Sequence, residues 1–183
     1  MSLKITLGCM YSGKSTELLR LYRRYNLIYD SQNILVITHQ IDNRYGEQVI
    51  STHDKNQIPS HSLTNLMNIY ETEIFFQSQV IFIEEAQFFP DLKEFVLLAV
   101  ERLNKKVYVF GLDGDFQRKP FGQILDLIPY CDKVVKLKAI CSICQDGTEG
   151  IFTKRIVDSQ EQTLVGNQDS YIAVCRKHFL EEN

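Results

Sequence analysis

The chain has 183 residues, 44% hydrophobic and 23% charged, the balance of one globular domain or a domain with a small appendage and not of a disordered chain. Twenty Lys and Arg against 23 Asp and Glu leave a net charge of −3, which argues against a protein whose main work is gripping nucleic acid. No apolar run approaches the roughly 20 residues of a membrane span, and Met1–Leu7 is too soon interrupted by Gly8 to be a secretory h-region, so a soluble cytoplasmic protein with no membrane partner is expected.

In chain order, Leu3 to Leu7 reads as a short strand followed by a glycine-rich turn. From Lys14 to Tyr29, apolar groups at Leu18, Leu21, Tyr22, Tyr25 and Ile28 mark one face of a helix. Asn33 to Thr38 and Val80 to Ile83 read as buried strands, apolar on both faces as a parallel sheet covered by helices requires. Residues 39–62 are polar and without clear period, and are expected to form a long loop. After Pro90, Leu92, Phe95, Val96, Ala99 and Leu103 predict a second helix, with strands at Lys106–Leu112 and Lys133–Leu137. Strands separated by helical segments imply βαβ units and an α/β fold with a mostly parallel sheet flanked by helices. The pattern changes near Ala139. We expect two units: a nucleotide-binding domain over residues 1–138 and a small lobe over residues 139–183.

Gly8-Cys9-Met10-Tyr11-Ser12-Gly13-Lys14-Ser15 matches the phosphate-binding loop G-x-x-x-x-G-K-[ST] between a predicted strand and a predicted helix. Glycines let the backbone curl so that its N–H groups face phosphate oxygens, and the helix N-terminus adds its positive dipole. Gly8 to Thr16 are therefore the candidate ATP and phosphate ligands. Lys14 would reach the β- and γ-phosphates and the Ser15 hydroxyl would ligate Mg²⁺. The strand Val80–Ile83 runs directly into Glu84-Glu85, a carboxylate pair at a strand end. Mg²⁺ prefers oxygen ligands and keeps several waters. Because alternate strand residues point opposite ways, one carboxylate of the pair can serve the Mg²⁺ shell while its neighbour acts as general base toward an acceptor hydroxyl.

Five cysteines without a secretory leader make a poor disulfide framework. Cys141-x-x-Cys144 and Cys175-x-x-His178 supply instead four ligands of the type and number of a closed structural Zn²⁺ site, stapling the base of the loop 145–174. A redox C-x-x-C is the rival, but the distant C-x-x-H favours metal. His39, His53 and His61 read as ordinary loop residues, and Cys131 as a buried small apolar side chain.

These segments resemble the type II thymidine kinases, the kind found in animal cells, poxviruses and bacteria. The resemblance covers nearly the whole chain: the phosphate loop through Leu18, Asp42-Asn43-Arg44-Tyr45, Thr52 to Asn56, Glu85 to Pro90, Gly111 to Gly114, Phe116 to Gly122, Val134 to Leu137, Thr153-Lys154-Arg155 and the Cys/His pairs. It implies transfer of the ATP γ-phosphoryl group to the 5′-hydroxyl of thymidine, giving dTMP in nucleotide salvage. Glu85 matches the catalytic base, which leaves Glu84 to serve the Mg²⁺ shell. Asp42 and Arg44 match a loop near the phosphates, which sets Arg44 beside Glu85 and Lys14 among the catalytic candidates. Met10, Gln87, Phe88, Leu112, Phe116, Phe121 and Tyr171 match positions lining the thymidine pocket, and Arg155 with Leu164 to Tyr171 matches a lasso-like loop over the thymine edge. The family also implies a homotetramer and feedback by dTTP.

Three departures stand out: Glu84 where the family has Asp, Cys9 where it commonly has Pro, and Asn167 for a Gly of the lasso. Cys9 is expected to put an oxidisable group beside the nucleotide. The alternatives weighed are a P-loop ATPase with a nucleic-acid-binding zinc lobe, which the net charge disfavours, and another deoxynucleoside or nucleotide kinase. A monophosphate acceptor would need extra Arg residues facing the pocket, and the pocket candidates here are mostly apolar.

Overall fold

A computed structural model describes residues 1–41, 49–51, 57–159, 161–162 and 169–181. In chain order the strands are β1 (Ser2–Gly8), β2 (Ile34–His39), β3 (Val49–Ser51), β4 (Gln57–Pro59), β5 (His61–Leu63), β6 (Val80–Ile83), β7 (Lys106–Gly111), β8 (Lys133–Leu137), β9 (Ala139–Ile140), β10 (Glu149–Gly150), β11 (Phe152–Arg155) and β12 (Tyr171–Val174). The helices are α1 (Lys14–Tyr25), α2 (Glu73–Gln77), α3 (Leu92–Leu97, continuing as one wider turn over Leu98–Arg102) and α4 (Arg176–Leu180).

Six strands form one sheet in the order β5-β2-β6-β7-β1-β8, every neighbouring pair parallel. The side-chain alternation of the strands builds two apolar layers. Leu3, Ile5, Leu35, Ile37, Ile81, Ile83, Val107 and Val109 face α3 and the short helical turns at Leu66–Ile69 and Ile124–Tyr130. Ile34, Val36, Val80, Phe82, Tyr108 and Phe110 face α1 through Leu18 and Leu19. The central strand β6 is buried on both faces, as its unbroken apolar sequence requires. The edge strand β8 is largely exposed, and its Lys136 pairs with Asp113 after β7.

Because all six strands run the same way, their C-terminal ends form one edge of the sheet, and in open α/β sheets ligands bind at that edge. There lie the loop after β1, the end of β2, Glu84 and Glu85 after β6, and Leu112 and Asp113 after β7. The C-terminal segment adds two small antiparallel ladders, β9 with β10 and β11 with β12.

Several boundaries differ from the sequence expectation. The first helix ends at Tyr25, not Tyr29, and Ile28 is exposed rather than part of the buried face. The segment 39–62 is not one long loop: β3 pairs with β4 as a hairpin, and the following residues add β5 to the sheet beside β2. Three-residue strands are too short to carry a readable period. Cys131 is only half-buried, its thiol directed at the Ile128 carbonyl at 3.2 Å. Asp42, Arg44, His53, Leu164 and Asn167 lie outside the described residues.

Candidate active site and metal centre

The phosphate loop turns because Tyr11 and Gly13 both take positive φ, 65° and 84°. Gly13 supplies this without strain. Gly8 is required for space, since a Cβ there would collide with Ser12 Oγ and lie 2.9 Å from the Leu137 carbonyl oxygen. The Ser12 N–H donates to the Cys9 carbonyl at 3.3 Å, and the Glu17 N–H to Gly13 at 2.9 Å, which joins the turn to the first turn of α1. Lys14 Nζ donates to the Cys9 carbonyl at 2.9 Å.

Burial is the largest influence on the Lys14 ammonium and pulls its pKa down; Glu85, Cys9, Glu84 and Asp113 oppose it in that order. Three carboxylates from β6 and β7 thus converge electrostatically on the phosphate-loop lysine. Cys9, expected to set an oxidisable group beside the nucleotide, is enclosed by the fold. It is 3% exposed, its thiol donates to the Gly150 carbonyl at 3.4 Å, and burial pushes its pKa up against the pull of Lys14. A buried thiol with a raised pKa offers little thiolate and reacts slowly.

The carboxylate pair is separated by a different device from the one expected. Glu84 prolongs the strand ladder, its N–H donating to the Ile37 carbonyl at 2.9 Å, and its side chain is buried. Glu85 leaves the strand altogether with φ 51° and ψ 39°, the left-handed region. A non-glycine residue held there costs free energy and is enriched at functional sites. A backbone turn, not strand alternation, therefore sets the direction of Glu85.

Gln87 fixes the result. Its Nε2 donates to Glu85 Oε2 at 2.5 Å while its Oε1 accepts from the Leu112 N–H at 3.0 Å, so one buried amide ties the ends of β6 and β7 together. Two glycines make room for it. A Cβ on Gly111 would lie 2.6 Å from Gln87 Oε1, and one on Gly122, at φ 60°, would overlap the Gln87 carbonyl.

His39, read from the sequence as an ordinary loop residue, stands at the end of β2. Its ring packs on Phe88 and Phe89 at 5.6 and 4.9 Å. Its Nδ1 accepts the Ile41 N–H at 3.1 Å, and burial lowers its pKa against a hydrogen bond to the Thr64 backbone and the charges of Glu85 and Asp91. His61 begins β5.

The described thymidine-pocket candidates fall into three linked groups. Gln87 and Leu112 share the hydrogen bond above, and Phe88 meets Phe121 edge-on at 5.3 Å. Arg155 lies 3.7 Å over the Phe116 ring and donates to the Tyr171 hydroxyl at 2.6 Å. Met10 is tied to this side by its N–H, which donates to Thr153 Oγ1 at 3.0 Å. Thr153 has the same direction as Arg155 two residues on, and both are buried on β11.

Cys141, Cys144, Cys175 and His178 bring their ligand atoms within 4.8 Å of one another. Nδ1 of His178 is 3.5, 3.3 and 3.4 Å from the sulfurs of Cys141, Cys144 and Cys175, and the Cys144 and Cys175 sulfurs are 3.8 Å apart. Zn–S bonds of about 2.3 Å in a tetrahedron give S···S edges of about 3.8 Å, so the cluster fits zinc. No cysteine is in a disulfide.

Burial pushes the Cys141 thiol up, but the backbone N–H groups of Cys144, Cys175 and Ile143 outweigh it and hold its pKa down at about 6. Burial, with the Cys141 and Cys175 sulfurs, pushes Cys144 up to about 11. A divalent cation reverses that mutual penalty and is what lets clustered thiolates coexist.

A phosphate loop at the C-terminal edge of a parallel sheet, with carboxylates converging on its lysine, defines a P-loop nucleotide-binding protein. The family model for thymidine kinase matches residues 1–179. The thymidine kinase of vaccinia virus (strain Western Reserve) is 42% identical over 182 residues, covering 98% of this chain and 97% of the viral protein. The cytosolic thymidine kinase of Gallus gallus is 39% identical, covering 98% of this chain and 77% of its own. The thymidine kinase of rice is 40% identical over 97% of this chain, which spans 65% of the rice protein. The chain belongs to the thymidine kinase family, enzymes that phosphorylate thymidine with ATP and a divalent metal. Among the described residues no helix is long and apolar enough to cross a membrane.

Proposed function

We propose that the chain carries out this reaction with Glu85 as general base, Lys14 and the phosphate-loop amides as phosphate ligands, and Arg155 with the segment Leu164 to Tyr171 as the cover of the nucleoside. The supporting observation is the convergence at one sheet edge: Lys14 feels Glu85 more strongly than any other charged partner, and Gln87 aims that carboxylate. In the reaction the thymidine 5′-oxygen attacks the γ-phosphorus as its proton passes to Glu85. The bond from the γ-phosphorus to the bridging oxygen breaks, and ADP leaves with that electron pair.

Mg²⁺ is the proposed divalent ion. Ser15 and Glu84 are the residues that would hold it or its waters, and when bound it neutralises charge on the phosphates. Met10, Gln87, Phe88, Leu112, Phe116, Phe121, Leu164 and Tyr171 are assigned to the thymidine side, an apolar and aromatic set suited to a flat methylated base. Arg44 is assigned to the phosphates.

Division into a domain over 1–138 and a zinc-stapled lobe over 139–183 is part of the same reading. So are a homotetramer, feedback by dTTP, a cytoplasmic site of action and the absence of a nucleic-acid partner. The experiment is a coupled assay across a panel of nucleosides and nucleoside monophosphates. Turnover with thymidine and deoxyuridine, and none with monophosphates or purine nucleosides, supports the assignment; a monophosphate turned over faster than thymidine contradicts it.

A further inference from the structure

Residues 114–120 form a small closed hairpin after β7. Gly114 and Pro120 are bridged, the Asp115 N–H donates to the Lys119 carbonyl at 2.9 Å, and the Arg118 N–H donates to the Asp115 carbonyl at 3.0 Å. The Asp115 side chain, 6% exposed, completes the closure: its Oδ1 accepts the N–H groups of Gln117 and Lys119 at 2.8 and 2.9 Å. Three successive parts of the C-terminal segment rest on this hairpin. Phe116 lies beneath the Arg155 guanidinium. Arg118 packs over Phe179 and Phe152, beside the cysteine cluster, at 4.6 and 5.5 Å. Asp115 Oδ2 accepts the Gln162 amide at 2.8 Å. Gln162 is gripped from its other end too, since Arg155 donates to the carbonyls of Ser159, Glu161 and Gln162.

The geometry points to Asp115 as a positioning residue for the nucleoside acceptor: one carboxylate oxygen closes the hairpin, and the other latches Gln162 and with it the root of the cover over the site. The inference rests on the reading that the segment after Arg155 covers the nucleoside. A charge-assisted hydrogen bond is stronger and more directional than a neutral one, and Gln162 is otherwise exposed, so this contact decides where the segment begins. Asp115 touches no reacting atom in this assignment. It acts through Gln162.

The test uses Gln162, whose replacement leaves the hairpin intact. Gln162→Leu removes the latch, and Gln162→Glu sets a carboxylate against Asp115. The pair Asp115→Asn with Gln162→Glu restores an amide–carboxylate bond in the opposite sense, the Asn oxygen still accepting from Gln117 and Lys119. Both single Gln162 variants should raise the thymidine KM by about 5- to 20-fold, with kcat and the ATP KM within about twofold. Hydrogen exchange should quicken in peptides over 156–162, and the double variant should return both readouts to near wild type. Unchanged exchange in Gln162→Glu overturns the latch itself. Faster exchange with an unchanged thymidine KM overturns the positioning role; failure of thymidine to slow exchange over 156–162 in the wild-type protein is the separate result that overturns the reading that this segment covers the nucleoside. A raised KM that the double variant does not rescue overturns the pairing.

Discussion

The two sides of the site are held by different physics. The phosphate side stands on a sheet whose central strands are buried on both faces, and its key groups come from backbone turns at strand ends: Gly13, Glu85 and the first turn of α1. The C-terminal side has two-stranded ladders and small apolar clusters. A Cys/His cluster, an arginine stacked on rings and single hydrogen bonds fix it. A sheet that buries Phe82 and Phe110 completely is rigid without help, whereas ladders this small need staples. Donor binding should therefore be robust and acceptor binding adjustable.

The comparison breaks most sharply at the carboxylates. Glu85→Gln should cut kcat by about 10²- to 10⁴-fold while nucleotide and thymidine still bind, as loss of a general base does. Steady-state kinetics with equilibrium binding check it, and retention of more than half the turnover rules out the role. Glu84→Ala should lower turnover by more than about tenfold and raise the Mg²⁺ concentration needed, with Glu84→Asp mild, because a water-mediated contact absorbs a one-methylene change. Titrating Mg²⁺ against activity decides it; if only Glu85→Ala moves the metal requirement, the two roles are exchanged.

On the folding side, Phe82→Ala empties a fully buried site between β6 and α1 and should cost about 3–5 kcal/mol. Denaturant unfolding measures it, and zinc content should be unaffected. Loss of bound zinc in the folded variant would show that the two regions are not independently held.

What was legible in the sequence follows the same division. The phosphate loop, β6 with its acidic end and the parallel order of strands are contiguous signals, written in glycines and unbroken apolar runs. The Cys/His cluster was legible because ligand chemistry allows few residue types at few spacings. The turn at Glu85 was not: strand alternation does not set the direction of that side chain, and nothing in Ile83-Glu84-Glu85 announces a left-handed residue. His39 gave no local signal, because its place beside Phe88 and Phe89 is created only when β2 pairs with β6. Asp115 and Gln162 lie 47 residues apart and meet only in the folded chain. The β3–β4 hairpin and β5 were missed because strands of three residues are chosen by their neighbours, not by their own period.

The central claim is that the acceptor side depends on its staple while the donor side does not. Zinc extraction from the native protein with a high-affinity chelator, followed by kinetics in both substrates and readdition of about one equivalent of Zn²⁺, tests it most directly. The thymidine KM should rise by at least about fivefold, the ATP KM should move less than about twofold, and both should return with the metal. Equal changes in the two constants, or full thymidine affinity in protein shown to be zinc-free, would contradict the account.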